Sequence, residues 1–538
     1  MEKRTILAFI LSFIVLIGWS ILFAPKGNIP KKKRILTKEI HPKRVQKDIG
    51  LEEPRPIFEL KGRDVLINAP LYRGKISNIG PSIKDFLLKR YYKTPDKKSG
   101  FVDIIPSELK GLYPIVPGFD LIDNAPFIYK EDKKALKISP GSSERNELRF
   151  TATTNGLFVT KTFHFYPDSY KVDVTIRVRN LRTSPVKGSF IVKLMSLLPK
   201  HKNTRYYSHL GLAAFVQNEL RQLKLKKKGQ KEIFSGDIKW FACESRYFMS
   251  AIITNMSEGT LEVKRFGSNI LAGYYKGKAV TIPPSKEVQH KFVLYLGPKE
   301  IPSLKKIGYH LDKIINFGWT DVIARPLLYV LRFFYRYVHN YGLAIILLTI
   351  LVKILFWPLT HKSYESMKEM QKIQPLMAKL REKYKDDKER LNREMLNLYR
   401  TYKVNPFSGC LPIIVQIPVF FALYRVLCDA IELRHAPFIL WINDLSAPDR
   451  LFHLPFSIPL MSPPYGIPVL TLLMGATMYI QQKMTPQPGD PSQAKMMMFL
   501  PLVFTVMFIN FPSGLVLYWL VNNILSIIQQ YRIQKRLS

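Results

Sequence analysis

The chain has 538 residues, of which 81 are lysine or arginine and 41 are aspartate or glutamate, so its formal net charge is +40 at pH 7. Hydrophobic residues make up 47% of the chain, which excludes a simply disordered protein, because disorder combines high charge with low hydrophobicity. The charge favours nucleic acid, anionic lipid or acidic protein as partners, and the three cysteines, Cys243, Cys410 and Cys428, lack the paired spacing of a zinc site or a disulfide framework.

The first predicted element is a membrane anchor at the N-terminus. Residues Thr5 to Phe23 carry no charge and are about long enough to cross a bilayer. No small-x-small cleavage site follows them, so residues 1–23 are interpreted as an uncleaved transmembrane helix. Residues 24–56, rich in lysine and proline, are interpreted as a linker.

An all-β domain is predicted for residues 57–310. Val172 to Arg179 alternates strictly between apolar and polar residues, which is the period of a half-buried strand. Similar segments between glycine, proline and asparagine turns are Asp64 to Asn68, Phe158 to Phe165, Phe190 to Met195, Phe248 to Thr254 and Lys291 to Tyr295. Many strands without intervening helices favour a sandwich, in which Trp240 is either a core aromatic near Tyr247 and Phe248 or a platform for a ligand.

Residues 311–340 predict an amphipathic helix. Apolar residues recur there at intervals of three and four among Arg325, Arg332 and Arg336. This pattern is typical of a helix that lies in the headgroup plane of a membrane. A helix packed under the sandwich is the alternative.

Five further membrane spans are predicted in residues 341–530. The candidate spans are Tyr341 to Leu359, Pro412 to Cys428, Ile467 to Ile480, Met496 to Asn510 and Gly514 to Gln530. The last two are separated only by Phe511-Pro512-Ser513-Gly514, whose proline and glycine are typical of a tight turn. The predicted fold is a multi-span α-helical membrane protein with six transmembrane helices, five of which form a core, and a large all-β sandwich.

The charges of the loops predict how the spans are oriented. The loop 361–411 contains twelve lysines and arginines, whereas residues 429–466 contain only Arg434 and Arg450. Because basic residues of short loops stay on the cytoplasmic side, we expect loop 361–411, the basic tail 531–538 and the N-terminus inside, and the sandwich outside. The basic residues that follow the first span favour the opposite orientation, but long loops cross membranes largely regardless of charge.

The loop 361–411 is predicted to form a helical hairpin. Apolar residues recur at intervals of three and four, in Met367, Met370, Ile373, Met377, Leu380 and Tyr384 and again in Leu391, Met395, Leu398 and Tyr402. Asp386 to Glu389 resembles a capping box between two antiparallel helices, and Pro375 is expected to bend the first. The methionines offer an adaptable surface, and basic faces that include Lys379 and Arg381 suit ribosomal RNA or acidic targeting factors.

Lys353 is the clearest candidate functional residue, because it lies inside an apolar span. A charge at this depth costs about 2.5 to 3.5 kcal/mol, so it indicates function unless the side chain snorkels to the membrane boundary. Thr349 lies one turn away, and further candidates on other spans are Gln416, Tyr518, Trp519, Asn522 and Ser526. Such groups around one cation predict a wet cavity, although hydrogen bonding between helices also explains them.

Several segments resemble the YidC membrane protein insertases of Gram-negative bacteria. The matching segments are KRTILAFILSFIVLIGW near the N-terminus, Trp357-Pro358-Leu359-Thr360, Lys403-Val404-Asn405-Pro406, Gly409-Cys410-Leu411-Pro412, Asp444-Leu445-Ser446 and Phe511-Pro512-Ser513-Gly514-Leu515. The resemblance implies a periplasmic β-supersandwich and a five-helix core around a hydrophilic groove that is open to the cytoplasm and to lipid. It also implies that nascent membrane proteins, the Sec translocon, the ribosome and targeting factors are partners. In this family the positive residue of the groove is usually arginine, which corresponds to Lys353 here.

Two other function classes are considered. A small-solute transporter or channel with Lys353 as an anion site is expected to show related halves, and a periplasmic carbohydrate enzyme needs an acid–base pair in the sandwich. The sequence shows neither of these features, and it contains no P-loop. The resemblance to the insertases therefore implies an ATP-independent insertase and chaperone of the bacterial inner membrane, with no catalytic residue, cofactor or metal.

Overall fold

The computed structural model describes residues 60–125, 127–140, 146–198, 210–225, 227–256, 258–267, 269–385, 387–402, 404, 411–452, 454–485 and 491–536. Two compact units adjoin in the chain at Asn316 and Phe317. The first is built from strands and the second from helices. The expected membrane anchor 1–23 and linker 24–56 lie outside the described residues.

The first unit is a β-sandwich with two large sheets. Its strands are β1 Asp64–Asn68, β2 Tyr72–Ser77, β3 Ser82–Tyr92, β4 Phe101–Asp103, β5 Ile115–Phe119, β6 Lys130–Glu131, β7 Ala135–Lys137, β8 Glu147–Thr154, β9 Leu157–Phe165, β10 Lys171–Asn180, β11 Val186–Gly188, β12 Phe190–Leu197, β13 Gly211–Val216, β14 Glu219–Gln222, β15 Lys231–Gly236, β16 Ile238–Glu244, β17 Phe248–Ile253, β18 Gly259–Phe266, β19 Ile270–Gly277, β20 Val280–Ile282 and β21 Glu287–Pro298. Two short helices accompany them, α1 Asp120–Asp123 and α2 Ile301–Ile307. The ten-stranded sheet has the order β15-β18-β19-β12-β5-β3-β2-β1-β7 with β4 beside β3, and the nine-stranded sheet has the order β14-β13-β16-β17-β21-β10-β9-β8-β6.

Alternating burial produces the core between the sheets. In β10 the side chains of Val172, Val174, Ile176 and Val178 are fully buried, as the alternation predicts. The register of β10 places Val174 opposite Phe163 of β9 and Phe292 of β21, so apolar side chains on neighbouring strands share one face. The six strands predicted from the sequence are confirmed, with bounds that differ by a few residues.

Trp240 is a core residue and not a ligand platform. Its side chain is fully buried, and its indole stacks on Phe215, which is its register partner in β13, at 5.7 Å between ring centroids. The indole Nε1 donates to the carbonyl oxygen of Tyr309 at 3.1 Å, so its polar atom is satisfied. The core interpretation is confirmed, but the stacking partner is Phe215 rather than Tyr247 or Phe248, because register and not proximity in sequence decides which rings meet.

A buried ion pair lies within the sandwich. The ammonium of Lys161 on β9 is 2.6 Å from Oδ1 of Asp123, and both side chains are almost fully buried. The Tyr129 hydroxyl donates to the same oxygen at 2.9 Å, and the Phe119 backbone N–H donates to Oδ2 at 2.8 Å. Burial lowers the pKa of Lys161, whereas Asp123 opposes that shift. The carboxylate therefore compensates for a charge that has no access to water.

Substitution Asp123→Ala is expected to reduce the free energy of unfolding of the sandwich by about 3 to 5 kcal/mol, because it leaves the Lys161 ammonium buried without its counter-charge. Urea-dependent hydrogen exchange of the β9 peptide measures this change. Tyr129→Phe is the matched control, since it removes one hydrogen bond from the same carboxylate and is expected to cost about 1 kcal/mol. Equal hydrogen-exchange rates of the β9 peptide in the two variants would contradict the role of Asp123 as the counter-charge of Lys161.

The second unit consists of helices. They are α3 Asp321–Val338, α4 Tyr341–Leu355, α5 Trp357–Lys383, α6 Lys388–Thr401, α7 Leu411–Asp429, α8 Val469–Met484, α9 Pro491–Phe508 and α10 Ser513–Arg536. Within the described part of the chain, no helix taken singly has both the length and the hydropathy of a membrane span, whereas α4 and α5 have them as a pair bent by 63°.

The helix boundaries differ from the predicted spans by up to several residues, and the start of α9 at Pro491 rather than Met496 is one example. The first predicted span continues to Leu359, but α4 ends at Leu355 and α5 begins at Trp357. Pro358 lies in the first turn of α5 and has no N–H to continue the preceding helix, which explains the break. At the other end, the predicted tail 531–538 is helical as far as Arg536, because α10 continues beyond the predicted span.

The predicted amphipathic segment 311–340 contains the regular helix α3 only from Asp321 onward. Ala324, Leu328 and Leu331 form its buried face, and α3 packs on α4 and α7. Its opposite face leaves Val322, Phe333 and Tyr337 exposed. One face of α3 thus packs within the helical unit, and its location in the headgroup plane stays a prediction.

The predicted hairpin is formed by α5 and α6. Ile373, Met377 and Val404 make its buried cluster, against which Met370, Met395, Leu398 and Tyr399 pack. The predicted stripe is wrong at Tyr402, which is exposed while Tyr399 faces the partner helix. The cap also differs from the predicted box, because Asp387 accepts from Arg390 N at 2.9 Å and Asp386 lies outside the described residues.

The remaining hairpin candidates lie on the surface of α5. Pro375 and Lys379 are exposed and Arg381 is half-buried. Pro375 lies inside the helix, and the bend expected there stays a prediction.

Candidate functional site

Lys353 lies in the last turn of α4. The first turn of this helix is held by a capping residue and by a ring that packs against its backbone. Asn340 caps the helix by accepting from Leu343 N at 3.1 Å, and its amide donates to the carbonyl oxygen of Phe438 at 3.2 Å. The Phe438 ring lies directly over Gly342, where a Cβ atom would clash with a ring carbon. This glycine lets the ring contact the backbone, and the last turn of α4 then carries Lys353 against α10.

The Lys353 ammonium lies in a mostly buried polar site between α4 and α10. Only 9% of the residue is exposed, and Nζ donates to Oγ of Ser526 at 2.6 Å. Ser526 in turn donates to the carbonyl oxygen of Asn522 at 2.7 Å, so its oxygen is available as an acceptor. No acidic side chain in the described ranges forms an ion pair with Lys353, and an ammonium has three donors. The site therefore contains a cation with unused donor capacity.

The other predicted groove residues lie on α4, α7 and α10. Gln416 of α7 donates its amide to the Tyr518 hydroxyl of α10 at 3.3 Å, and Tyr518 is 1% exposed. Tyr518, Asn522 and Ser526 are spaced by four residues and therefore share one face of α10. Thr349 is buried, and its hydroxyl donates to the carbonyl oxygen of Ile345 at 2.7 Å. This bond satisfies Thr349 within its own helix, and none to Lys353 is shown.

Trp519 belongs to an aromatic cluster rather than to the polar site. Its ring centroid is 5.0 Å from that of Phe420 and 5.2 Å from that of Phe508. It is half-buried and lies beside Tyr518 in sequence, so it lines the neighbouring face of α10. The structure thus joins Lys353 with Ser526 and Asn522, joins Gln416 with Tyr518, and places Trp519 next to the second group.

Four polar residues around the site, Tyr364, Gln481, Thr360 and Gln529, were not identified from the sequence. The Tyr364 hydroxyl forms hydrogen bonds with Ser526 and Gln481, and the Gln529 amide donates to Oγ1 of Thr360 at 3.0 Å. Tyr364 lies in the segment predicted as the cytoplasmic hairpin, beyond the end of the predicted span at Leu359. The sequence therefore offered no reason to include it among the residues of the polar site. Gln529 adjoins the polar stripe of α10. It could have been identified from the sequence, because it is a polar side chain in a mostly apolar helix.

Apolar side chains occupy the outer faces of the same helices. Those that are exposed include Leu351, Ile354 and Leu355 on α4, Leu472, Leu473 and Ile480 on α8, Phe499, Leu502 and Val503 on α9, and Ile524 and Ile528 on α10. Polar groups inside and large apolar groups outside are the reverse of a water-soluble arrangement. The helical unit therefore presents the type of surface that lipid solvates.

Residues 430–452 and 454–468, which lie between α7 and α8, are here called the end loop. Asp449 is 3% exposed, and its carboxylate accepts from Trp441 Nε1 at 2.6 Å and from Leu470 N at the start of α8. The Arg450 guanidinium donates to the carbonyl oxygens of Pro464 at 2.9 Å and Ile509 at 2.8 Å. These bonds tie the end loop to α8 and to the turn between α9 and α10.

The arrangement is suited to the recognition of polar groups. A buried ammonium with neutral hydroxyl and amide neighbours can hold a carboxylate or a main-chain carbonyl. In the part of the chain that the structure describes, no group of three histidine, cysteine, aspartate or glutamate residues is arranged to hold a metal ion.

Comparison with known proteins gives matches along nearly the whole chain. The family described as "YidC periplasmic domain" matches residues 64–330, and that described as "60Kd inner membrane protein" matches residues 333–538. A membrane protein insertase YidC of Pelobacter propionicus is 42% identical over 556 residues, which cover 99% of each chain. That of Geobacter sulfurreducens is 42% identical over 549 residues, which cover 100% of this chain and 99% of the other. A solved structure of an active YidC insertase is 19% identical over 89% of this chain and 94% of its own, with a TM-score of 0.38.

Proposed function

The chain belongs to the YidC family of membrane protein insertases, and we propose that its substrates are received at the polar site around Lys353. The observation that carries this proposal is the ammonium held between α4 and α10 at 9% exposure with Ser526 as its acceptor. A carboxylate or a main-chain carbonyl of an incoming segment takes up its remaining donors. Asn522, Ser526, Gln416 and Tyr518 extend the polar lining along α10 and α7.

The proposed insertion mechanism depends on the polar inner faces and the apolar outer faces of α4 and α10. A polar segment that enters a bilayer loses hydration, and a wet groove that reaches partly across shortens the apolar path. The apolar part of the substrate leaves toward lipid past the exposed apolar faces of α4 and α10, and its partition into lipid drives the process. Such a process needs no ATP.

The proposed topology has six spans, with both termini in the cytoplasm and the sandwich in the periplasm. Residues 1–23 form the first span, and α4 with the start of α5, α7, α8, α9 and α10 form the core. The twelve basic residues of loop 361–411 support its cytoplasmic location. The end loop then closes the periplasmic side, and α3 lies along the membrane surface with Phe333 and Tyr337 toward lipid.

The α5–α6 hairpin is proposed to guide substrates from their cytoplasmic carriers to the groove. Met370 and Met377 stabilise its helix contact, while Lys379 is exposed and free to meet an acidic or nucleic-acid surface. The partners proposed for it are the ribosome and targeting factors, and the insertase works alone or beside the Sec translocon.

Photo-crosslinking of a stalled nascent membrane protein tests the proposal. A photoreactive residue at position 416 or 518 is expected to capture the nascent chain, because both positions line the polar site. Position 502 of α9 is the control, since Leu502 is 61% exposed on an apolar outer face. Capture at 502 with none at 416 and 518 would show that substrates pass outside the groove.

A further inference from the structure

Two turns of the end loop, residues 439–442 and 458–461, expose large apolar side chains and are here called the apolar turns. Each is closed by a hydrogen bond from its fourth backbone N–H to its first carbonyl oxygen, at 3.1 Å and 3.2 Å respectively. Leu440 of the first turn is 81% exposed, and Leu460 of the second is 75% exposed. Both leucines therefore project away from the core of the helical unit.

The backbone of these exposed residues has the left-handed conformation. Leu440 has a φ of 54° and Leu460 has a φ of 64°, values that favour glycine because a Cβ atom crowds the neighbouring carbonyl oxygen. Phe452 repeats the combination, with a φ of 57° and an exposure of 69%. A large side chain at such a position costs free energy in the backbone, and an exposed one recovers little of it through contacts within the chain. The combination indicates a contact outside the chain.

The composition of residues 451–468 suits an environment that is poor in water. The segment contains five prolines and no lysine, arginine, aspartate or glutamate. Proline has no backbone N–H, so it leaves fewer donors that need a partner where water is scarce. The Arg450 guanidinium donates to the carbonyl oxygen of Pro464 at 2.9 Å, and Leu454 N donates to that of Tyr465 at 3.0 Å. These bonds satisfy part of the remaining backbone.

The apolar turns lie at the end of the helical unit where α8 and α10 begin. Asp449 accepts from Trp441 of the first turn and from the N–H at the start of α8. Asn510, between α9 and α10, donates to the carbonyl oxygen of Leu460 at 2.7 Å. Ile467 is exposed immediately before α8, whose outer face exposes Leu472 and Leu473. The apolar outer surface of α8 thus continues into the end loop.

We propose that the apolar turns insert into the boundary between headgroups and acyl chains of the adjoining lipid leaflet. Leu440 and Leu460 enter the boundary together with Phe456, which is 59% exposed. Lipid is the occupant, because the surface continues an apolar helix face and residues 451–468 offer no charge to orient a protein partner. Insertion fixes the depth of this end of the helical unit in the bilayer. The inference does not require that substrates use the polar site around Lys353.

Photo-crosslinking to lipid tests the proposal, with the full-length protein in vesicles of phosphatidylcholine. A photoreactive residue at position 456 or 460 is expected to form phospholipid adducts, detected by mass, as is position 502 on the outer face of α9. Position 372, which is exposed on the basic hairpin, is the control and is expected to form none. The lipid is neutral because an anionic lipid would attract the hairpin.

Adducts at position 502 with none at 456 and 460 would overturn the proposal. Crosslinks from 456 or 460 to the sandwich in place of lipid would also overturn it, because another part of the chain would then cover the apolar turns. Capture of nascent chains at positions 416 and 518 is a separate measurement, so the proposed function and this inference fail independently.

Glycine substitution tests whether the exposed leucines have a role inside the chain. Leu460→Gly is expected to leave the midpoint of thermal unfolding in detergent unchanged or to raise it by up to about 4 °C, because glycine relieves the strained backbone. Leu445→Gly is the matched control, since Leu445 is a leucine of the same loop that is 1% exposed, and it is expected to lower the midpoint. A midpoint lowered equally by both substitutions would show that Leu460 is held by the chain itself and would contradict the proposal.

Discussion

Replacement of Lys353 by glutamate is expected to slow the insertion of acidic-tailed membrane proteins by at least about tenfold, because it turns attraction into repulsion where the substrate carboxylate meets the groove. Two unit charges about 4 Å apart interact by about 4 kcal/mol at an effective dielectric constant of 20, so even a screened reversal exceeds the 1.4 kcal/mol of a tenfold change. Ser526 and Tyr364 can donate to the new carboxylate, so the helical unit is expected to fold.

Lys353→Arg is the matched control for this substitution. It retains a positive charge and adds donors, so insertion is expected to stay near the level of the unsubstituted protein. Lys353→Met removes the charge at similar length and is expected to give an intermediate rate for acidic tails and little change for neutral ones. Rates of protease-protected product in reconstituted vesicles measure all three variants. Normal insertion by Lys353→Glu would remove electrostatic attraction from the mechanism.

Substitution Asp449→Ala is expected to lower the free energy of unfolding of the helical unit by about 3 kcal/mol, because each hydrogen bond to a buried charged group is worth about 1.5 to 3 kcal/mol. The carboxylate accepts from the Trp441 indole and from Leu470 N, so its loss leaves an indole donor and the start of α8 without their acceptor. It also lies at the helix end where negative charge is favourable.

Asp449→Asn separates the geometry of the end loop from its charge. The amide oxygen can still accept from Trp441, whereas the amide nitrogen facing Leu470 N cannot accept, so about half of the loss is expected. Thermal unfolding in detergent measures both variants, and proteolysis within residues 430–468 reports whether the end loop opens first. A midpoint that does not change in Asp449→Ala would show that the end loop does not hold the start of α8.

The sequence by itself determined the elements with a strong local period. Strict alternation located β10 and its buried valines, and intervals of three and four located the α5–α6 hairpin. Lys353 was identified because a charge in an apolar span is expensive wherever the span packs. The polar stripe of α10 was found in the same way, since residues four apart on a helix share a face. These features depend only on the chain near each residue.

The tertiary structure alone decided which of these groups meet. Period gives the face of a helix but not the neighbour that covers it, so the bond from Lys353 to Ser526, 173 residues away in the chain, was beyond the reach of a pattern. Tyr364 and Gln529 joined the site for the same reason, as did Phe215 as the partner of Trp240. The bond from the Gln530 amide to the carbonyl oxygen of Met484 likewise exists only because distant segments are packed together.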